Sequence, residues 1–302
     1  MAVTQNLISL DAYHRSTPGD KIYVNDLSYF SKKDDEIIDN ALKTIYDHTD
    51  TLSTKPSCDC GKLTGRYLVG KYCNKCGTEC KEFFDKTYPV LWLRSLDPRY
   101  RFLNPTFWLM VSSAIYKIKT IDGLRWLCDS RYNPNLLKLP DELYAIKDQI
   151  LGGERNYAKT MSKLPEILKF LALLPKNKNT AKRKLYEDLL EMYYKYQDVM
   201  FSEYLPIINK KLFVIETTSK GKYVNIISAD TIDIVKTWEK ICSSETYTEK
   251  ALSNTTGAVV SKLANSYLAH YVKFVVSKNG IFRKNIYGAK SHFAFRCVVV
   301  SI

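Results

Sequence analysis

Apolar positions recur at helical spacing through most of the chain and shift to strand-like spacing at a few places. Ile37, Ile38, Ala41, Leu42, Ile45 and Tyr46 predict a helix over 34–47, with Asp34 and Asp35 favourable at its N-terminal dipole. Asn104-Pro105 is a helix start, Asn as cap and Pro in the first turn, followed by a stripe of Phe107, Trp108, Val111 and Ile115. Asp122 to Cys128 predicts a shorter helix, and Tyr132 to Asn135 a turn. From Lys159 to Tyr204 the pattern is helical on both sides of a break at 175–179. The second half, from about Ala181 to Tyr204 with Thr180 as cap, carries Leu185, Leu189, Met192, Tyr193, Tyr196 and Met200 on one face. Tyrosines at that spacing favour core packing over a stacking platform for bases. Asp230 is expected to cap a helix through Ile234, Val235, Trp238 and Ile241. Another begins near Thr256, runs through Val260, Leu263, Tyr267, Tyr271 and Phe274, and stops at Asn279-Gly280.

Residues 1–30 are polar with isolated apolar positions and predict irregular or strand-bearing structure. Tyr88 to Leu96 reads as a buried strand or extended crossing, ended by Asp97-Pro98. Leu212 to Thr217 and Tyr223 to Ile227 flank a basic turn holding Lys220, Gly221 and Lys222, which predicts a hairpin. Arg296 to Ile302 is an apolar, β-rich run with no turn after it, expected to be paired by another chain. The fold class is therefore α+β, mostly helical.

The chain has 302 residues, 45% of them apolar and 13% aromatic, enough for a sizeable core and unlike a disordered protein. Its net charge is +13, which suits a polyanionic partner. The charge is unevenly spread. From Lys250 to Ile302 there is no Asp or Glu, and eight Lys or Arg. No run approaches transmembrane length and the N-terminal residues lack a basic-then-apolar secretion signal, so a cytoplasmic protein with reduced thiols and no membrane partner is expected.

Five of the eight cysteines fall within residues 58–80. Cys58/Cys60 and Cys73/Cys76 are close pairs separated by a glycine-bearing basic loop, the spacing of a tetrahedral Zn²⁺ site. Cys80 makes a fifth thiol, a spare or a replacement for Cys58. No histidine lies in this stretch, so the expected zinc is structural and no catalytic residue is assigned to it. Cys128, Cys242 and Cys297 are expected to be ordinary buried thiols.

The run Cys-x-Cys-Gly-Lys, basic loop, Cys-x-x-Cys-Gly-x-Glu resembles the N-terminal zinc-binding module of the largest (β′) subunit of multisubunit RNA polymerases. Cys58, Cys60, Cys73 and Cys76 match its four ligands in order. Tyr88 to Leu96 is similar to the hydrophobic stretch that follows. Gly280 to Ser301 is similar to the β′ switch segment: Gly280, Phe282, Arg283, Asn285, Gly288 and Arg296 are identical, and Lys290 stands for Arg. Ala289, His292 and Phe295 depart from it, standing for Lys, Asp and Gly.

The resemblance implies a β′ clamp-like architecture. Its parts would be an N-terminal clamp segment (1–57), the zinc module (58–80), a helical clamp body (81–204), a lid-like hairpin with a short clamp-helix pair (205–279) and a switch-like segment (280–302). It implies template contacts at Arg283, Lys284, Lys290 and Arg296, with Lys220 and Lys222 on the hairpin. The Asp-x-Asp-Gly-Asp cluster that binds the catalytic Mg²⁺ in that family does not occur in these residues. The expected protein is thus the N-terminal fragment of a split β′-like subunit of a DNA-directed RNA polymerase, a nucleotidyltransferase, as in giant phages. Its partners would be a chain with the rest of β′, β-like subunits, an initiation factor, template DNA and RNA. The alternatives are a self-contained zinc-ribbon transcription factor or nucleic-acid-binding protein that docks on a polymerase, and a helical protein whose zinc knob only supports its fold.

Overall fold

The uninterrupted apolar run Leu91-Trp92-Leu93 suits a strand covered on both faces, and it is the middle of a three-stranded sheet. Ile22–Tyr23 lies parallel on one side, Ile22 opposite Leu91. Tyr204–Pro206 lies antiparallel on the other, Leu205 opposite Leu93. All three of Leu91, Trp92 and Leu93 are buried. Asn25 ties the sheet to its surroundings: its amide donates to the Arg94 carbonyl at 2.7 Å and accepts from Arg94 N–H at 2.8 Å and Trp238 Nε1 at 3.2 Å.

The computed structural model describes residues 7–17, 21–27, 56, 58, 60–81, 91–118, 121–134, 139–177, 180–207, 216–217, 223–224, 229–244 and 246–270. They divide into two units, the larger from Met1–Lys43, Tyr88–Asn209 and Ile227–Tyr267, the smaller from Thr44–Thr87, Lys210–Ile226 and Leu268–Ile302. The described elements are mostly helical with small sheets, an α+β arrangement. No described helix is long and apolar enough to cross a membrane.

In the larger unit the helix Pro105–Ile115 starts as its residues dictate, Asn104 accepting from Thr106 N–H at 3.0 Å. Phe107, Trp108 and Val111 are fully buried. Gly123–Cys128 follows, capped by Asp122. The buried Asp122 carboxylate also accepts from Ser261 Oγ at 3.1 Å and Trp108 Nε1 at 3.4 Å, joining three helices through one polar group. Tyr157 is equally well satisfied: its hydroxyl accepts from Leu103 N–H and donates to the Arg101 carbonyl, both at 2.8 Å. Leu164–Leu173 ends before the 3₁₀ turn Pro175–Asn177, and Thr180 caps Ala181–Lys195.

Several expectations are corrected. Within 1–30 a helix, Leu10–Ser16, is capped by Ser9 and anchored by His14 rather than by an apolar stripe, so hydrophobic spacing gave no sign of it. The helical run expected to reach Tyr204 stops at Met200, because Phe201–Ser202 pairs with Phe102–Leu103 and Tyr204–Pro206 joins the sheet. Leu185 is exposed and Tyr186, donating to the Ala114 carbonyl at 2.9 Å, is buried in its place, while Leu189, Tyr193 and Met200 of the expected face are buried. Ala229–Cys242 begins one residue before Asp230, which lies inside its first turn rather than at the cap.

The last described helix is Glu249–His270, beginning well before Thr256. Its first turns are polar yet buried, which hid them from a search for apolar periodicity. Ser253 and Asn254 are satisfied by neighbouring elements, whereas the buried Thr256 hydroxyl has no hydrogen-bond partner among the described residues. Ser253 Oγ accepts from Tyr157 N–H at 2.7 Å, and Asn254 exchanges hydrogen bonds with Ser130 at 2.9–3.1 Å. Lys262 pairs with Asp233 across the two long helices. The helix expected over 34–47, the end at Asn279-Gly280 and the run 296–302 lie outside the described residues.

Candidate metal centre

Two backbone turns build the smaller unit's cysteine site. In the first, Gly61 N–H donates to the Cys58 carbonyl at 3.0 Å and Cys58 N–H to the Leu63 carbonyl at 2.9 Å. In the second, Gly77 N–H donates to the Cys73 carbonyl at 2.8 Å and Cys73 N–H to the Thr78 carbonyl at 2.9 Å. Gly61 and Gly77 have φ of 73° and 69°, the left-handed region that a side chain disfavours, and each directly follows a cysteine of the site. The Tyr72–Glu79 bridge closes the second turn into a small hairpin, and Cys80 N–H donates to the Lys71 carbonyl at 2.8 Å.

The sulfurs of Cys58, Cys60, Cys73 and Cys76 all lie within 4.8 Å of one another. Cys58 and Cys60 sulfurs are 3.5 Å apart, Cys60 and Cys73 3.7 Å. A zinc–sulfur bond of about 2.3 Å implies tetrahedral edges of about 3.8 Å. The four sulfurs therefore have the spacing to hold a metal ion, and an all-sulfur donor set is compatible with zinc. Backbone donors support the thiolates, Leu63 N–H to Cys58 Sγ at 3.2 Å and Lys75 N–H to Cys73 Sγ at 3.4 Å. Cys80 is fully buried, outside that group, and burial pushes its thiol up.

Protonation reflects the crowding. The Thr78 hydroxyl, then the Thr78 and Cys60 N–H groups, hold Cys76 down to about 5. Cys73 is lowered by Cys76 and Lys75 N–H groups. At Cys60 the Lys62 N–H favours the thiolate, but desolvation and the Cys76, Cys58 and Cys73 sulfurs outweigh it and push the thiol up to about 12. Four thiolates this close repel one another, and a divalent cation among them removes the conflict. The sequence pattern did not single out Thr78, whose Oγ1 lies 3.0 Å from Cys76 Sγ. A hydroxyl two residues beyond the last ligand was the available signal.

Of the residues expected to meet nucleic acid, Lys220, Lys222, Arg283, Lys284, Lys290 and Arg296 lie outside the described residues. The hairpin that would carry the first two is described as its paired strands Glu216–Thr217 and Tyr223–Val224, with Thr217 opposite Tyr223. Cys128 is buried and its thiol pushed well up by desolvation; Cys242 is pushed up to about 12 by the same cause. Cys297 lies outside the described residues. No protein-family model matches the chain, and no curated protein matches it.

Proposed function

We propose that this chain is the N-terminal part of a split β′-like subunit of a DNA-directed RNA polymerase. It supplies the clamp, a structural zinc module and a basic switch-like segment that holds template DNA and the RNA hybrid. The observation carrying this reading is the cysteine module. Its four sulfurs converge in the order in which they match the β′ ligands, on two turns whose glycines follow Cys60 and Cys76. The basic, carboxylate-free run from Lys250 onward supports it, since backbone phosphates need cations without competing acids. Residues 1–302 hold no Asp-x-Asp-Gly-Asp cluster, so Mg²⁺ and nucleotidyl transfer would belong to the chain carrying the rest of β′. The cytoplasm of a phage-infected bacterium is the corresponding setting.

A self-contained zinc-ribbon protein that binds nucleic acid or docks on a polymerase is the second reading. The observation on its side is the continuous core of the larger unit, with its buried polar groups at Asp122, Tyr157 and Asn254 satisfied from within. Affinity purification of the tagged chain from the cells that produce it decides between the two. The subunit reading expects DNA-dependent RNA synthesis in the eluate; a chain that elutes alone, folded and without such activity supports the second.

A further inference from the structure

We propose that the cysteine module is itself a contact for single-stranded nucleic acid, with Tyr67 and Tyr72 as stacking faces and Lys62, Lys71 and Lys75 as phosphate contacts. It goes beyond the subunit reading and does not depend on it. Tyr67, in the 3₁₀ turn Arg66–Leu68, is 97% exposed, and Tyr72 is 70% exposed although its backbone is fixed in the bridge with Glu79. Rings this open contribute little to holding the module together. The hydrogen-bonded turns and the four sulfurs do that. A tyrosine face offers any base a stacking surface, which is what sequence-tolerant binding of single strands uses.

The charge around the rings selects a polyanion. From Gly61 to Thr78 the chain has Lys62, Arg66, Lys71 and Lys75 and no Asp or Glu. Asp59 lies between the first two cysteines, so these four cations exceed that carboxylate and the two net negative charges that four thiolates leave around a divalent ion by one. The next acid, Glu79, is already paired with Lys81 at 3.0 Å. A protein-docking patch of this size would be richer in aliphatic side chains, and Val69, 46% exposed, is the one exposed large aliphatic between Gly61 and Lys81. Duplexes bury their base faces and cannot use the rings, so the preference is for a single strand.

The test uses the zinc-loaded full chain and fluorescence anisotropy with labelled dT and rU oligomers of about 12 nucleotides, beside a duplex of the same length. Tyr67→Ala and Tyr72→Ala are each expected to weaken single-strand binding by about 5- to 100-fold and to leave duplex binding unchanged. Tyr67→Phe and Tyr72→Phe keep the ring and are expected to keep the affinity. Changing Lys62, Lys71 and Lys75 to Gln should lower the salt slope for single strands by about 2. A larger loss with rU makes RNA the ligand, a larger loss with dT makes it DNA. Alanine variants of unchanged zinc content that bind both oligomers like the wild type overturn the proposal. So do variants that bind both oligomers normally but lose a co-purifying protein, since the surface is then a protein-docking site. The subunit reading is scored separately, by whether polymerase chains still co-purify with the variants.

Discussion

The Cys60 sulfur stands 3.7 Å from that of Cys73, thirteen residues further along the chain. That closeness allows the four cysteines to hold one metal ion together, and a bound ion would make each of them a folding ligand rather than an independent thiol. Cys73→Ser is therefore expected to abolish stoichiometric zinc and to expose the module to proteolysis. Cys80→Ser should keep one zinc per chain, because Cys80 lies outside the group. Metal content by mass spectrometry of both purified variants is the check. Zinc retained by Cys73→Ser, or lost by Cys80→Ser, contradicts the ligand assignment.

Gly257 has no room for a side chain: a Cβ there would meet Cys128 Cβ at 2.9 Å. Both residues sit in packed helices of the core, so the neighbour cannot move away cheaply. Gly257→Ala is expected to cost about 1–3 kcal/mol in urea unfolding, as overpacking does. Cys128→Ala should not rescue it, since the obstructing atom is retained. A Gly257→Ala chain as stable as the wild type contradicts the packing.

Tyr157→Phe removes a hydroxyl that accepts from Leu103 N–H and donates to the Arg101 carbonyl in the core. The orphaned Leu103 N–H is expected to cost about 1–3 kcal/mol with an unchanged m-value. A neutral variant would show that water reaches those groups.

Much of the larger unit was legible because its signals are local. Asn104-Pro105, Asp122 and Thr180 cap the helices their positions predict, and Leu91-Trp92-Leu93 forms a strand. What escaped the sequence depends on partners far along the chain. The Leu10–Ser16 helix is held by His14 stacked on Tyr204, their ring centroids 3.8 Å apart. Tyr204 leaves the helical pattern because Arg94 pairs with it. The start of Glu249–His270 hides behind Ser253 and Asn254, polar residues buried through bonds to Tyr157 and Ser130. At the cysteine site spacing named the four residues, but only the fold separates Cys80 from them.

His14 gives the chain a pH dependence. Burial foremost, and the Lys21 charge next, lower its pKa, against Asp11 and Glu203, which raise it; Arg15 also lowers it. The folded chain thus binds the proton less tightly than the unfolded chain. Stability from this group is present above the ordinary histidine value near 6.5 and is lost as the pH falls below it. His14→Gln should flatten the fall in melting temperature between about pH 7 and pH 5. A wild-type chain whose stability rises over that interval contradicts the sign.

The switch-like segment carries its own expectation. Arg283→Glu with Arg296→Glu should weaken template binding and reduce its salt slope by at least about 1.4, the share of two phosphate contacts on a single strand. Anisotropy titrations at several salt concentrations measure it. An unchanged slope removes these arginines from the interface.

The composition of the assembly formed in the producing cells tests the central claim most directly. Mass spectrometry of the tagged chain's native complex is expected to find, in equal amounts, a β-like chain and a second chain bearing an Asp-x-Asp-Gly-Asp cluster. A complex that contains this chain at full occupancy but no chain with that cluster contradicts the account.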